Sequence, residues 1–216
     1  PYVSLGLIVM TFEDTVILLF AKAPVEGQVN TRLIPDIGKQ AATQLQHELI
    51  EQRLSILTGS SLAAVELHCL PNTSHQCFLE AEQSYPLTLL NQVGDDLGER
   101  MCNALTVALQ KYRFCILLGT DAPALDAETI AMAIAHLRAG VPVVFVPAED
   151  GGYVLLGLSE VHRFLFEGIS WGSENVMQQS RHALVANGVD YRELDTCWDI
   201  DRVEDYQRYQ KFKAGC

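Results

Sequence analysis

The stretch FAKAPVEGQVNTRL, residues 20–33, follows the apolar run TVILLF (15–20) and gathers residue types that hold anions. Lys22 and Arg32 supply positive charge, and a planar guanidinium suits phosphate oxygens. Gly27 lets main chain approach a ligand closely, with Pro24 and Thr31 in the same loop. The spacing is neither a GxxxxGK[ST] phosphate loop nor a GxGxxG dinucleotide fingerprint, so ATPase and dehydrogenase chemistry lose their usual support. A solvated turn whose cations face water is the alternative reading.

Three further loops carry chemistry-bearing groups. LLGTDAPAL (117–125) ends a buried-looking strand at Gly119 and presents Asp121, with Pro123 fixing the exit. A carboxylate there is placed to hold Mg²⁺ or Mn²⁺ against phosphates, or merely to cap a turn. PAEDGGYVLLGL (147–158) offers Asp150, Gly151, Gly152 and Tyr153, either as a close-approach acceptor loop or as an Asp-Gly hairpin. CWDIDRVEDY (197–206) alternates Asp199 and Asp201, which share a face if extended, so one of them could join Asp121 on a metal. Asp201 with Glu204 also reads as an N-cap box for the last helix.

The elements that must position these loops are legible. Seven short runs read as strands: 15–20, 63–69, 87–91, 114–119, 141–147, 153–158 and 190–194. Several are almost continuously apolar, as for strands covered on both faces. Helical patterns fall between them at 38–57, 74–83, 97–111, 126–138, 173–187 and 203–212, with Asp126 an N-cap and Asn187-Gly188 a stop. This alternation predicts an α/β fold: three layers, a mainly parallel or mixed sheet with helices on both faces. Ligands then sit beyond the carboxyl ends of the strands, where the four loops lie.

Composition narrows the partners. The 216 residues suit one domain, 1–216, and a 49% hydrophobic content allows a sizeable core. A net charge of -12 argues against a nucleic-acid polymer or an anionic membrane. The six cysteines show no CxxC and no zinc-like pairing with histidine, which favours a reducing, cytoplasmic setting. The apolar start, YVSLGLIVMTF, lacks a basic leader and is too short to span a membrane; residues 1–14 read as an extra strand or a remnant of expression. No histidine accompanies the loops, which disfavours a serine or cysteine hydrolase.

The order of the motifs resembles a known family. KxPxxGxVxTRL, QVGDDLGERM (92–101), GTDAP, EDGGYVLLGL, Trp171-Gly172 and DIDRVEDY follow one another as in a family of bacterial candidate glycosyltransferases associated with radical-SAM and selenium-domain proteins. Some of its members are assigned to arsenosugar biosynthesis. They are related to phospholactate guanylyltransferase and the molybdenum-cofactor nucleotidyltransferases. The resemblance spans Thr15 to Tyr206 and implies the nucleotide-diphospho-sugar transferase (glycosyltransferase-A-like) fold.

By that resemblance, Lys22, Pro24, Gly27, Thr31 and Arg32 line the phosphate end of a nucleotide, and Gln92, Gly98 and Arg100 lie near its base or sugar. Asp121 and Asp201 bind the metal, Mg²⁺ or Mn²⁺, while Asp150, Gly151, Gly152, Tyr153 and Trp171 shape the acceptor side. Lys22, Arg32, Asp121 and Asp150 carry catalysis. Two departures from the family stand out: Asn30 stands where a Lys precedes Thr-Arg, and Arg202-Val203 replaces Thr-Pro. The implied activity is metal-dependent transfer from a nucleotide-activated donor, foremost glycosyl transfer from a nucleotide-diphospho-sugar to a small-molecule acceptor. The alternatives are nucleotidyl transfer, in which a phosphorylated small molecule attacks a nucleoside triphosphate and pyrophosphate leaves, and a nucleotide-binding module without turnover, which Asn30 motivates.

Overall fold

The computed structural model describes residues 12–215. Of the N-terminal stretch 1–14, positions 1–11 lie outside the described residues, and Glu13 and Asp14 form the turn that enters the first strand. Seven strands follow: β1 (Thr15–Lys22), β2 (Ala64–Leu70), β3 (Thr88–Asn91), β4 (Phe114–Leu118), β5 (Val143–Pro147), β6 (Tyr153–Leu158) and β7 (Tyr191–Glu193). The helices are α1 (Ile34–Ser60), α2 (Gln76–Ser84), α3 (Leu97–Ala108), α4 (Ala127–Arg138), α5 (Val176–Ala186) and α6 (Val203–Lys213). The architecture is the expected α/β class with a mixed sheet.

The strands join in the order β3-β2-β1-β4-β6-β5-β7. All neighbours are parallel except β6, which runs antiparallel between β4 and β5. The near-continuous apolar character of β1 and β4 follows from helices on both sides. Ile17, Leu19 and Ala21 share a core with Ile50, Leu54, Phe78 and Ile134 of α1, α2 and α4. Val16 and Leu18 pack instead with Met101, Leu105, Met177 and Leu184 of α3 and α5. A third cluster, Leu33, Leu45, Leu49, Trp198, Ile200 and Tyr209, seats α6 and the segment before it against α1.

Local signals set the helix ends. The Asp126 carboxylate accepts from Thr129 N at 2.8 Å and starts α4, and Asp96 does the same for α3 through Glu99 N. α1 begins earlier than the pattern predicts: Ile34–Ile37 form a first turn that breaks at Gly38, whose φ of 81° is outside the helical range. The cap of α6 also differs from the expected Asp201–Glu204 box. The helix starts at Val203, so its third position is Asp205, whose carboxylate accepts from Arg202 N (2.8 Å) and Asp201 N (3.2 Å). That shift of one residue releases the Asp201 side chain for another partner. Among the described residues no helix is long and apolar enough to cross a membrane.

Phe145 of β5 is fully buried and meets the rings of Tyr153 and Tyr191 at centroid separations of 5.2 and 6.4 Å. Phe145→Ala is expected to lower unfolding free energy by about 3–5 kcal/mol through lost burial and a residual cavity, read by urea denaturation.

Candidate functional site at the strand ends

β1 and β4 are parallel and finish at one edge of the sheet, at Lys22 and Leu118. Because β6 is antiparallel, its first residue, Tyr153, starts at that same edge, and the β5–β6 hairpin carries residues 148–152 to the rim. Together these loops and the segment 199–201 enclose a cleft of 460 Å³, within the size range of small-ligand sites.

Of the residues singled out from sequence, Lys22, Thr31, Arg32, Gln92, Asp121, Asp150, Gly152, Tyr153, Trp171 and Asp201 line this cleft. Pro24, Gly27, Gly98, Arg100 and Gly151 do not, and the last four each have a structural task. Gly27 takes a φ of 77° in the turn before α1. Arg100 donates to Gly94 O (2.9 Å) and Asp95 O (3.1 Å), holding the turn that leads into α3. A Cβ on Gly98 would lie 2.6 Å from Trp171 Nε1 and from Phe166 O, so the glycine is what lets the indole press against α3. Gly151, with φ 93°, passes so close to the Glu174 carbonyl that no side chain fits, and its own carbonyl accepts from Met177 N at 2.8 Å.

The opening loop is braced from behind. Gln46 of α1, itself buried, donates to Lys22 O at 3.0 Å. Asn30 adopts a left-handed φ of 47° and donates to Ala42 O at 3.0 Å. Its side chain ties the loop down and brings no charge to the cleft. Gln92 donates from Nε2 to His68 O (2.8 Å) and Ala21 O (3.3 Å), which leaves its amide oxygen as the group it can offer a ligand.

On the acidic side, Asp121 folds back over Gly119, where a Cβ would stand 2.8 Å from Asp121 Oδ1. Asp121 is exposed to the cleft, with protein atoms crowded around its other sides. Desolvation by that crowding raises its pKa above the usual carboxylate range; charges on Asp150 and Asp201 push the same way, while its own amide and the Arg53 guanidinium oppose. Asp199 is pushed up to about 7, by burial first and then by Asp121 and Asp150. Asp150 spends one oxygen on Gly152 N at 2.9 Å, so the hairpin and the cleft-lining readings hold together. Asp201 pairs with Arg32 at 2.5 Å, and Arg32 Nη2 also reaches Gly172 O at 3.5 Å. The pair is largely exposed, a class worth about 1 kcal/mol or less, so a phosphate competes for Arg32 at little cost.

Asp199 is the functional candidate that sequence reasoning left outside the metal pair; its alternation with Asp201 was the signal. Phe20, Leu97 and Met101 also line the cleft, and they read in sequence as ordinary core or helix residues. Among the described residues no three His, Cys, Asp or Glu side chains converge as a preformed metal cage. The donor set still suits a hard divalent cation: two mutually repelling carboxylates, Asp121 and Asp199, in a cleft with room for phosphate and water oxygens to complete a shell.

Residues 53–173, more than half of the chain, match the model of a bacterial family described as "uncharacterized protein conserved in bacteria" (DUF2064). The chain belongs to the DUF2064 family. It is similar, at 27% identity and a TM-score of 0.80, to the crystal structure of a candidate nucleotide-diphospho-sugar transferase from Desulfovibrio desulfuricans G20, covering 89% of this chain and 84% of that one. At 12% identity and a TM-score of 0.58 it shares its fold with CMP:2-keto-3-deoxy-manno-octonic acid synthetase complexed with CTP, covering 94% and 99%. At 10% and 0.53 it shares it with glucosyl-3-phosphoglycerate synthase from Mycobacterium tuberculosis in complex with Mn²⁺, UDP and phosphoglyceric acid, covering 90% and 73%. No curated protein matches the sequence. The DUF2064 chain thus has the fold of nucleotide-dependent transferases.

The contact between Gly98 and Trp171 is directly testable. Gly98→Ala is expected to cost about 1–3 kcal/mol by overpacking and to change the near-ultraviolet circular dichroism of the indole that it displaces.

Proposed function

We propose that this DUF2064 protein is a metal-dependent glycosyltransferase, moving a sugar from a nucleotide-diphospho-sugar to the hydroxyl of a small acceptor. The observation that carries the reading is the charge inventory of the cleft. Its lining holds two cations, Lys22 and Arg32, facing four carboxylates, Asp121, Asp150, Asp199 and Asp201. Next to it, Glu149 and Asp205 join Asp150, Asp199 and Asp201 around a second, smaller hollow that contains one arginine, Arg202.

Such a lining accommodates one diphosphate when a divalent cation shares it, and it leaves nothing positive for a second phosphorylated reactant. Nucleotidyl transfer from a triphosphate to a phosphorylated acceptor would bring far more negative charge against the same acidic rim. A neutral hydroxyl acceptor meets no such repulsion. The likeness to the Desulfovibrio protein, and the Mn²⁺ and UDP held by the more distant mycobacterial enzyme, support the same donor class.

In this reading Asp121 and Asp199 hold Mg²⁺ or Mn²⁺, which neutralises charge on the departing diphosphate. Lys22 lies at the end of β1 and holds diphosphate oxygens; Arg32, exchanging Asp201 for phosphate, adds a second, forked donor. Asp150 keeps one oxygen in its turn and offers the other to orient or deprotonate the acceptor hydroxyl. Tyr153 and Trp171, in edge contact at 6.4 Å, form an apolar wall against which a sugar face packs.

The test is a panel of nucleotide sugars with Mn²⁺ and hydroxyl acceptors, arsenosugar precursors among them, run beside nucleoside triphosphates with pyrophosphate release as readout. Sugar transfer or nucleotide-sugar hydrolysis without pyrophosphate release is expected. Pyrophosphate release would favour nucleotidyl transfer, and tight binding without any turnover would make the protein a binding module. Asp121→Ala is expected to cut metal-dependent turnover about 100-fold or more while leaving the melting curve in place. Lys22→Ala is expected to weaken nucleoside-diphosphate binding about tenfold or more, the scale of a lost charge-assisted hydrogen bond, measured by calorimetry.

A further inference from the structure

We propose that Arg53, a residue outside the cleft, is the positioning residue that holds Asp121 in place for the bound metal. The proposal rests on the reading of Asp121 as a metal ligand. Arg53 lies toward the C-terminal end of α1 and is 1% exposed, among the most deeply buried side chains described. Its Nη1 donates to Leu125 O at 2.5 Å and its Nη2 to Ala122 O, so one guanidinium spans both ends of the loop just after Asp121. The neighbouring Gln52 reaches Pro123 O at 3.5 Å, and Asp121 O accepts from Ile200 N at 2.9 Å. Carbonyls of the 121–125 loop are therefore pinned by α1 on one side and by the Asp199–Asp201 segment on the other.

Architecture alone explains this poorly. Burying a guanidinium is costly, and here Nε has no hydrogen-bond acceptor although it is shielded from water. Among the described residues Arg53 has no carboxylate within ion-pair distance, yet the Asp121 charge is the foremost one favouring its protonated form. Burial lowers its pKa to about 10, which leaves it protonated at neutral pH. A fixed positive charge thus acts on the carboxylate that Asp150 and Asp201 repel, and the same group holds the loop that leaves Asp121. A guanidinium performs both tasks because its fork reaches two carbonyls at once. A lysine ammonium keeps the charge but cannot reproduce the fork.

The experiment measures binding of UDP, GDP, CDP, ADP and TDP by calorimetry, each with and without Mn²⁺, for the wild-type chain, Arg53→Lys and Arg53→Met. Wild type is expected to bind at least one diphosphate more tightly with Mn²⁺. Arg53→Lys, which keeps the charge and is expected to fold, should retain the metal-free affinity within about twofold and lose about tenfold or more of the Mn²⁺-dependent gain. Arg53→Met should lose the gain as well, and if it does not fold, the lysine variant decides. Gln52→Ala removes the weak contact to Pro123 and a hydrogen bond accepted from Tyr209 Oη (3.2 Å), leaves the Arg53 fork in place and should keep the gain. A folded Arg53 variant with the full gain overturns the positioning role. Parallel loss of metal-free and metal-dependent binding overturns it too, because a general structural defect would act on both. If wild type shows no Mn²⁺-dependent gain with any diphosphate, the metal reading of the cleft fails and the role of Arg53 fails with it.

Discussion

Four aspartates face one cleft, and their mutual repulsion is the constraint around which the site is organised. Burial first, and then the charges of Asp121 and Asp150, raise the pKa of Asp199, so carboxylates brought together in a partly desolvated space disfavour one another's charge. The protein meets that cost with cations at different distances. Arg32 pairs with Asp201 at the mouth, Arg53 lies behind Asp121, and Lys22 stands across the cleft. Among the described residues no side chain forms an ion pair with Asp121 or Asp199. A cleft lined by four aspartates with Lys22 and Arg32 is the basis of the proposed metal–diphosphate site, because the two components of that complex bring opposite charges.

The fold brings these groups together through strand direction. A wholly parallel sheet would bring β6 to the rim by its carboxyl end; the antiparallel β6 brings its amino end there, and with it the short 148–152 hairpin. Asp150 therefore sits across from Asp121 without a long crossover. The C-terminal segment then closes the far wall. Cys197 N donates to Pro147 O, Glu149 N to Cys197 O, and Ile200 N to Asp121 O, so residues 197–200 are fastened to both acidic loops. Glycines set the clearances. Gly119 admits the folded-back Asp121 carboxylate, and Gly98 admits Trp171. Each is required by the space its missing side chain would occupy.

Much of this was legible in the chain because it depends on local physics. Apolar runs such as FCILL and VVFVP report burial on two faces, and Asp126 reports a helix start, since both signals act over a few residues. The loops that line the cleft were legible for a related reason: each follows or precedes a strong strand at a known end. Gly98 and Arg100 lie in a motif-bearing segment too, yet they serve packing and turn geometry, a distinction that resides in Trp171 and in the carbonyls of Gly94 and Asp95.

What the amino-acid order determined by itself was the element sequence, the α/β class and the set of loops at the ligand-bearing edge, because periodicity and turn chemistry are short-range. Tertiary structure alone decided which acid takes which partner. A one-residue difference in where α6 begins gave the cap to Asp205, freed Asp201 for Arg32 from 169 positions away, and left Asp199 beside Asp121. Tertiary structure also turned Arg53, one charged residue in an amphipathic helix, into a buried clamp on the Asp121 loop. Charge pairing and desolvation act through space, and the distances that govern them exist only once the chain has folded.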